Sequence, residues 1–186
     1  MNYIGTKEIE TERLILRRFT IDDAQDMYDN WASDPEVTKF LTWPVHENVD
    51  ATRTLLESWI KHYEEGDTFN WAIELKENGS VIGNISVVGF KEAARAADIG
   101  YCMSRTYWGN GIMPEALKAV MDYLFDKVGL NRVAACHDSN NPKSGRVMEK
   151  AGMKLEGTLR CAGHNNQGIC DEVWHSMIKA DRENIK

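Results

Sequence analysis

Gly109, Asn110 and Gly111 stand directly before a segment with helical periodicity, and this spacing is suited to binding an anion. The first turn of a helix carries unpaired N–H groups and the positive end of the helix dipole, and glycine lets a phosphate approach the backbone closely. Pro114 is compatible with a first turn but has no N–H, so the donors would come from residues 109–113. Two glycines before a helix are also common in ordinary turns, so this motif alone does not separate a phosphate site from turn geometry.

The elements that would position this loop follow from the spacing of the apolar residues. The pattern predicts a strand over residues 97–103, which leads into the loop, and a helix over residues 111–128, which leaves it. Further strands are predicted over residues 9–19, 69–75, 81–90, 132–137, 155–159 and 170–178. Further helices are predicted over residues 20–32, 37–41, 48–64 and 142–151. This order predicts the α/β class, as one domain spanning residues 1–186 in which a mixed sheet carries helices on both faces.

The composition is that of an ordinary globular domain, with 186 residues, a net charge of −7, 42% apolar residues and 27% charged residues. The acidic balance disfavours nucleic-acid binding, for which a basic face is expected. No apolar run approaches membrane-spanning length and the N-terminus has no apolar signal core, so we expect no membrane partner and a cytoplasmic location. The cysteines at positions 102, 136, 161 and 170 form no C-x-x-C pair and are expected to be reduced thiols.

Four segments together resemble the GCN5-related N-acetyltransferase (GNAT) superfamily, and they occur in that family's order over nearly the whole chain. Two of them are Gly109-Asn110-Gly111 after Ile99-Gly100-Tyr101, and Asn141-x-x-Ser144-x-x-Val147-Met148-Glu149-Lys150-Ala151-Gly152-Met153. The others are Thr11-Glu12-Arg13-Leu14-Ile15-Leu16-Arg17 and Ser33-Asp34-Pro35-Glu36-Val37. More narrowly, the chain is similar to the branch that acetylates the N-terminal alanine or serine of ribosomal proteins.

The resemblance implies a mostly antiparallel sheet that is splayed between its fourth and fifth strands, with acetyl-CoA as the co-substrate. The backbone of Tyr101, Cys102 and Met103 would pair with the extended pantetheine arm as if with another strand. Asn141 and Ser144, which share one face of the following helix, would contact the thioester end. The pyrophosphate would bind the loop, which consists of Trp108, Gly109, Asn110, Gly111, Ile112 and Met113.

The implied activity is direct transfer of an acetyl group to a primary amine, and the chain departs from the family pattern at three positions. Thr106 stands where the loop usually has Gln or Arg, and Pro114 where this branch often has Thr. Met148 stands where many members have a Tyr that protonates the leaving thiolate, and a thioether has no proton to give. Ser144 is then the candidate donor, with water as the alternative; an exposed helix serine is its non-functional interpretation.

The attacking amine must lose a proton, which raises the question of a base. An α-amine has a pKa near ~8 and a lysine amine near ~10.4, so neutralising the lysine costs about 3 kcal/mol more at neutral pH. A weak or distant base would therefore suit α-amines. Asp98, just before the splayed segment, is the first candidate base, and Glu92, His137 and Glu172 are others. Trp43 is a candidate wall of the acceptor pocket, or else part of the cover of the core.

The sequence thus predicts an acetyl-CoA-dependent N-acetyltransferase whose acceptor is a protein N-terminal α-amine, with a second copy of the chain as a possible partner in a homodimer. The alternatives are a small amine as acceptor (a polyamine, amino acid or drug) and a non-catalytic CoA-binding module, which Met148 favours. No metal is expected. Cys161, His164, Cys170 and His175 are residue types that zinc accepts, but Cys170 and His175 are five residues apart on a predicted strand and would lie on opposite faces.

Overall fold

A single eight-stranded sheet forms the centre of the protein in a computed structural model, which describes residues 1–183. The strands are β1 (Ile9–Glu10), β2 (Leu14–Arg17), β3 (Asn70–Leu75), β4 (Val81–Lys91), β5 (Ala96–Met103), β6 (Arg132–Asp138), β7 (Lys154–Asn165) and β8 (Gly168–Ile178). Their order in the sheet is β1-β2-β3-β4-β5-β6-β8-β7. Every neighbouring pair is antiparallel except β5 and β6, which run parallel.

Helices cover both faces of this sheet, as predicted. They are α1 (Ala24–Met27), α2 (Pro35–Thr38), α3 (Val49–Tyr63), α4 (Ile112–Tyr123), α5 (Pro142–Lys150) and α6 (Lys179–Glu183). Leu117 of α4 and Met148 of α5 belong to a core cluster on one face, and Met27 of α1 and Leu56 of α3 to a cluster on the other. Two predicted helices are less regular than expected, because π-helical turns at Tyr28–Ala32 and Leu124–Val128 complete them.

The sheet opens between β5 and β6. Their ladder contains three pairs, Ala96–Arg132, Ala97–Val133 and Asp98–Ala134, and it stops there although both strands continue. This is the predicted splay. It lies between β5 and β6 in the observed numbering because the strand predicted over residues 9–19 is divided into β1 and β2.

The backbone of β5 presents alternate residues to the open gap. The N–H of Ser104 donates to the carbonyl of Ile82 at 2.8 Å, and the register pairs Cys102 with Asn84. Because bonded and non-bonded pairs alternate in an antiparallel ladder, the peptide groups of Cys102 point to β4 and those of Tyr101 and Met103 point into the gap. Of the three residues predicted to offer their backbone to the cofactor, Tyr101 and Met103 therefore face the gap with their peptide groups, whereas those of Cys102 are used in the ladder with β4.

Candidate active site

A cavity of about 1330 Å³ lies at the open end of the splay. Side chains alternate along β5, so its two sides are chemically different. Tyr101 packs with the cluster under α4 and α5, whereas Cys102 packs with the cluster formed by the first three helices. We call the first side the cofactor half and the second the acceptor half.

The glycine loop forms one wall of the cofactor half. Gly109 and Gly111 have φ values of +85° and +74°, a region that glycine enters without the steric cost of a Cβ. Gly111 is the N-cap of α4 and has no side chain, so no capping side chain covers the first N–H groups of the helix. This arrangement leaves donors for an anion at the wall of the cavity.

Arg13 and Glu115 hold the loop in place. The Arg13 guanidinium donates to the carbonyl of Asn110 at 2.9 Å and to the Glu115 carboxylate at 2.7 Å. Burial opposes ionisation of Glu115, but hydrogen bonds from Thr11 and Arg13 outweigh it, so the pKa of this carboxyl is below its usual value. The fixed backbone favours a preformed phosphate site.

Trp108 and α5 form the next part of the cofactor half. The indole N–H of Trp108 donates to the carbonyl of Met103 at 2.9 Å, and the Lys143 ammonium lies 5.3 Å from the centre of its ring. Arg146 and Lys150 continue along the same exposed wall of α5, three and seven residues after Lys143. Three cations therefore line the half in which the phosphates of the cofactor are expected.

Ser144 and Tyr101 meet inside this half. The Tyr101 hydroxyl lies 3.0 Å from the Ser144 Oγ and 3.0 Å from the Ser144 carbonyl oxygen. Burial raises the pKa of Tyr101 far above its usual value, so its hydroxyl keeps its proton at neutral pH. Met148 is only 1% exposed and packs into the core, so it does not take part in the contact between Tyr101 and Ser144.

Asn141 is the N-cap residue of α5, but its side chain makes no capping hydrogen bond. Its backbone carbonyl accepts from the N–H of Ser144 at 3.1 Å, and its own N–H donates to the carbonyl of Asp138 at 2.7 Å. Both Asn141 and Ser144 line the cavity. The side-chain amide of Asn141 is therefore not engaged in capping the helix.

Aromatic side chains line the acceptor half. Phe40, Trp43 and Trp59 are half-buried there, on the loops and helix of the first third of the chain. The Asn166 side chain, at the tip of the β7–β8 hairpin, donates to the carbonyls of Thr38 at 2.9 Å and Trp43 at 2.7 Å. This contact, which we call the Asn166 bridge, joins the β7–β8 hairpin to the loop that contains Trp43 (the Trp43 loop) beside the cavity.

The candidate bases are placed very differently. Asp98 is ion-paired with Lys91 at 2.9 Å and is not among the side chains that line the cavity, and Glu92 accepts from the Tyr3 hydroxyl at 2.7 Å. His137 lines the cavity, but its Nδ1 lies 2.8 Å from the carbonyl oxygen of Asp138. Glu172 is the one of the four that is a carboxylate on the cavity wall.

Cys102 and Cys136 line the cavity, and their thiols are unreactive. Burial raises the pKa of Cys102 to about 12, and burial together with the Glu172 and Asp98 carboxylates raises the pKa of Cys136 to about 12. Since the thiolate is the nucleophile, neither thiol is activated. Within residues 1–183 no group of three His, Cys, Asp or Glu side chains is close enough to hold a metal ion, and no helix there is long and apolar enough to cross a membrane.

A splayed sheet beside a glycine loop is the geometry that the family resemblance implies, and comparison with known proteins agrees. A family model described as the acetyltransferase (GNAT) domain matches residues 13–154. The chain belongs to the GNAT family of acetyltransferases. It is an acetyl-transfer enzyme, and GNAT enzymes use acetyl-CoA as the acetyl donor.

Two GNAT relatives and one solved structure illustrate the match. The chain is 30% identical over 171 residues to the uncharacterized N-acetyltransferase YoaA of Bacillus subtilis, covering 92% of this chain and 96% of that one. It is 28% identical over 139 residues to the ribosomal-protein-serine acetyltransferase of Escherichia coli, covering 74% and 76%. The microcin C7 self-immunity acetyltransferase MccE, solved with acetyl-CoA and AMP, has the same fold, with a TM-score of 0.80 and 20% identity over 90% of this chain and 93% of that one.

Sequence reasoning missed some side chains of this GNAT site. The Tyr101 hydroxyl was not predicted to reach Ser144, although strand alternation turns it toward α5. The Asn166 bridge was missed as well, and no local signal for it exists because its partners lie 123 and 128 residues away.

Proposed function

We propose that this enzyme transfers the acetyl group of acetyl-CoA directly to a primary amine in the gap between β5 and β6. The observation that carries the proposal is the edge of β5 at Tyr101 and Met103, which β6 leaves without a strand partner and which leads to the Gly109–Gly111 loop. An extended amide chain can pair with such an edge, and its phosphates then reach the N-terminus of α4. Asn141 and Ser144 would lie at the thioester end.

The proposed chemistry uses few groups. The N–H of Tyr101 or Met103 would stabilise the oxyanion that forms when the amine attacks the thioester. Ser144 would protonate the departing thiolate, with its hydroxyl oriented by Tyr101 at 3.0 Å. Water is the alternative donor.

We propose a protein N-terminal α-amine as the acceptor. At pH 7, deprotonating an α-amine costs about 3 kcal/mol less than deprotonating a lysine amine, so a weaker base is sufficient. The E. coli relative acts on a ribosomal protein, as its name states. A small amine is the second candidate, because Phe40, Trp43 and Trp59 offer an apolar wall to an acceptor with an apolar body.

Release of free CoA thiol tests both candidates. The enzyme would be mixed with acetyl-CoA and a panel of peptides with N-terminal alanine or serine, spermidine, amino acids and aromatic amines. We expect the fastest release with a peptide, and mass spectrometry should place the acetyl group on its α-amine. Faster release with a small amine would favour the second candidate, and no release with any acceptor would contradict the proposed chemistry.

The homodimer and the cytoplasmic location stay predictions. The edge strand β7 exposes Leu155 and Leu159, with 62% and 53% of their surface accessible, and these side chains offer a contact for a second copy. Light scattering on the purified protein would give its mass in solution, and a monomer at all concentrations would contradict the dimer.

A further inference from the structure

Strand register places Glu172 on the acceptor half of the site. Asp98 pairs with Ala134, Cys136 with Trp174, and Asp138 with Glu172. Paired residues share a face of a sheet and alternate residues of one strand do too. Glu172 therefore projects to the same side as Cys102, which faces the first three helices, and to the side opposite Tyr101 and Ser144.

Two neighbours fix the Glu172 carboxylate. The indole N–H of Trp174 donates to its Oε2 at 2.9 Å. On the adjacent strand, a Cβ at Gly163 would lie 2.8 Å from both the Oε1 and the Cγ of Glu172. Only a residue without a side chain leaves this space, so Gly163 makes room for the carboxylate and Trp174 holds it at the cavity wall.

Three titratable groups that line the same cavity, Asp138, Cys136 and Cys170, are less suited than Glu172 to take a proton. Asp138 accepts from the N–H of Asn140 at 2.7 Å and from the side chain of Asn165 at 2.7 Å, so both of its oxygens are engaged. Burial opposes ionisation of Asp138, but these hydrogen bonds outweigh it and its pKa is lowered. The pKa values of the Cys136 and Cys170 thiols are raised, first by burial, so both remain protonated at neutral pH.

We propose that Glu172 accepts the proton of the acceptor ammonium, an inference that rests on the proposed acetyl transfer. The R–NH3⁺ group gives one proton to the carboxylate, which passes it to solvent. The nitrogen lone pair forms the C–N bond with the acetyl carbon, and the C–S bond breaks with its electron pair on sulfur. Ser144 gives its hydroxyl proton to the thiolate, and a second proton from the attacking nitrogen then reprotonates Ser144. The products are the amide, CoA thiol and one released proton.

Glu172→Gln tests the proposal because it keeps the hydrogen bond from Trp174 but cannot take a proton. With a peptide that begins with alanine, we expect kcat/KM at pH 7 to fall by roughly tenfold, because only about a tenth of such an α-amine is neutral at that pH, while acetyl-CoA affinity is unchanged. The remaining activity should rise about tenfold per pH unit up to the pKa of the α-amine near ~8, because the variant uses only amine that is already neutral. Glu57→Gln, a change of an exposed carboxylate in α3 that does not line the cavity, is the matched control and should leave both values unchanged.

A second acceptor separates a base from a structural carboxylate. The same peptide with trifluoroalanine in first position has a much less basic amine, which is neutral at pH 7. The ratio of wild-type to Glu172→Gln activity should then fall toward one, and Ser144→Ala should show no such recovery. An undiminished ratio, or a loss in Asp98→Asn with none in Glu172→Gln, would overturn the assignment to Glu172. Failure of acetyl transfer itself would appear differently, as no thiol release by the wild type with either peptide.

Discussion

The Tyr101 hydroxyl lies 3.0 Å from the Oγ of Ser144, which joins the splayed strand β5 to helix α5 inside the cofactor half. Tyr101 also lies 3.0 Å from the Ser144 carbonyl oxygen, so it can donate there while the serine hydroxyl turns to the cavity. In the proposed mechanism this pair would supply the proton for the departing thiolate, since Met148 is buried in the core.

The first prediction concerns this pair. Ser144→Ala should lower kcat by roughly 10- to 1000-fold, because the thiolate loses its proton donor, while CoA affinity changes little. CoA thiolate is a fairly good leaving group, which favours the lower end. Tyr101→Phe should reduce kcat less, since it removes orientation and not the donor. Steady-state kinetics and calorimetry provide the two readouts, and a Ser144→Ala enzyme with wild-type kcat would assign the donor to water.

The second prediction concerns the glycine loop. Gly111→Val should weaken CoA binding by tenfold or more, ~1.4 kcal/mol, because it strains the phosphate-binding backbone at φ +74°. Gly79→Val, in the β3–β4 turn, is the matched control, since Gly79 has φ +72° and open space around it, while a Cβ at Gly111 would make only an ordinary contact with Arg13 at 3.6 Å. Calorimetric titration with CoA would measure both, and equal affinities in the two variants would contradict the phosphate site.

The third prediction is that no acyl-enzyme forms on Cys102 or Cys136. The pKa of each thiol is raised to about 12, by burial first, so almost no thiolate exists at pH 7. Intact-mass spectrometry after incubation with acetyl-CoA alone should show no stable acetyl adduct on either residue. A stoichiometric adduct that an amine then discharges would replace direct transfer with a two-step mechanism.

The fourth prediction concerns stability at low pH. The Glu156 carboxylate on β7 accepts from Arg132 of β6 and from Ser176 of β8, and these contacts lower its pKa to about 2. Because the pKa of Glu156 is lower in the folded state, its ionised form stabilises the protein at pH values above the unfolded pKa near ~4.3. This stabilisation is lost as the pH falls toward 2. Glu156→Gln should therefore lower the melting temperature at pH 7, and the difference from wild type should shrink between pH 4.5 and 2. A difference that is constant with pH would contradict this linkage.

The fifth prediction concerns the Asn166 bridge. Asn166→Ala removes two hydrogen bonds to the Trp43 loop, so the KM for the acceptor should rise roughly fivefold or more, ~1 kcal/mol, with the KM for acetyl-CoA unchanged. Gln167→Ala, one residue further in the same turn, is the control, because its backbone N–H and not its side chain bonds Asn165. A parallel rise in both KM values would indicate general loosening and not a role in the acceptor half.

The parts of the site that lie within one segment could be predicted from sequence, and the parts made by distant segments could not. Glycines 109 and 111 indicated a loop directly before a helix because this pattern lies within one segment, and the structure shows positive φ at both residues. The direction of each peptide group in β5 was not predictable, since it depends on the register with β4. The position of Glu172 depends likewise on its pairing with Asp138, so sequence alone placed Glu172 behind Asp98, together with Glu92 and His137.

The Asn166 bridge also bears on the direction from which an acceptor would enter. Asn166 donates three hydrogen bonds to the segment that ends in Trp43, so the acceptor half is not open between the hairpin tip and that segment. A free chain end needs only one opening to reach the gap, whereas a lysine in the middle of a folded surface would have to bring the backbone on both sides of it against the bridge. For the proposed N-terminal acceptor, the bridge would therefore add a selection by shape to the difference in amine basicity.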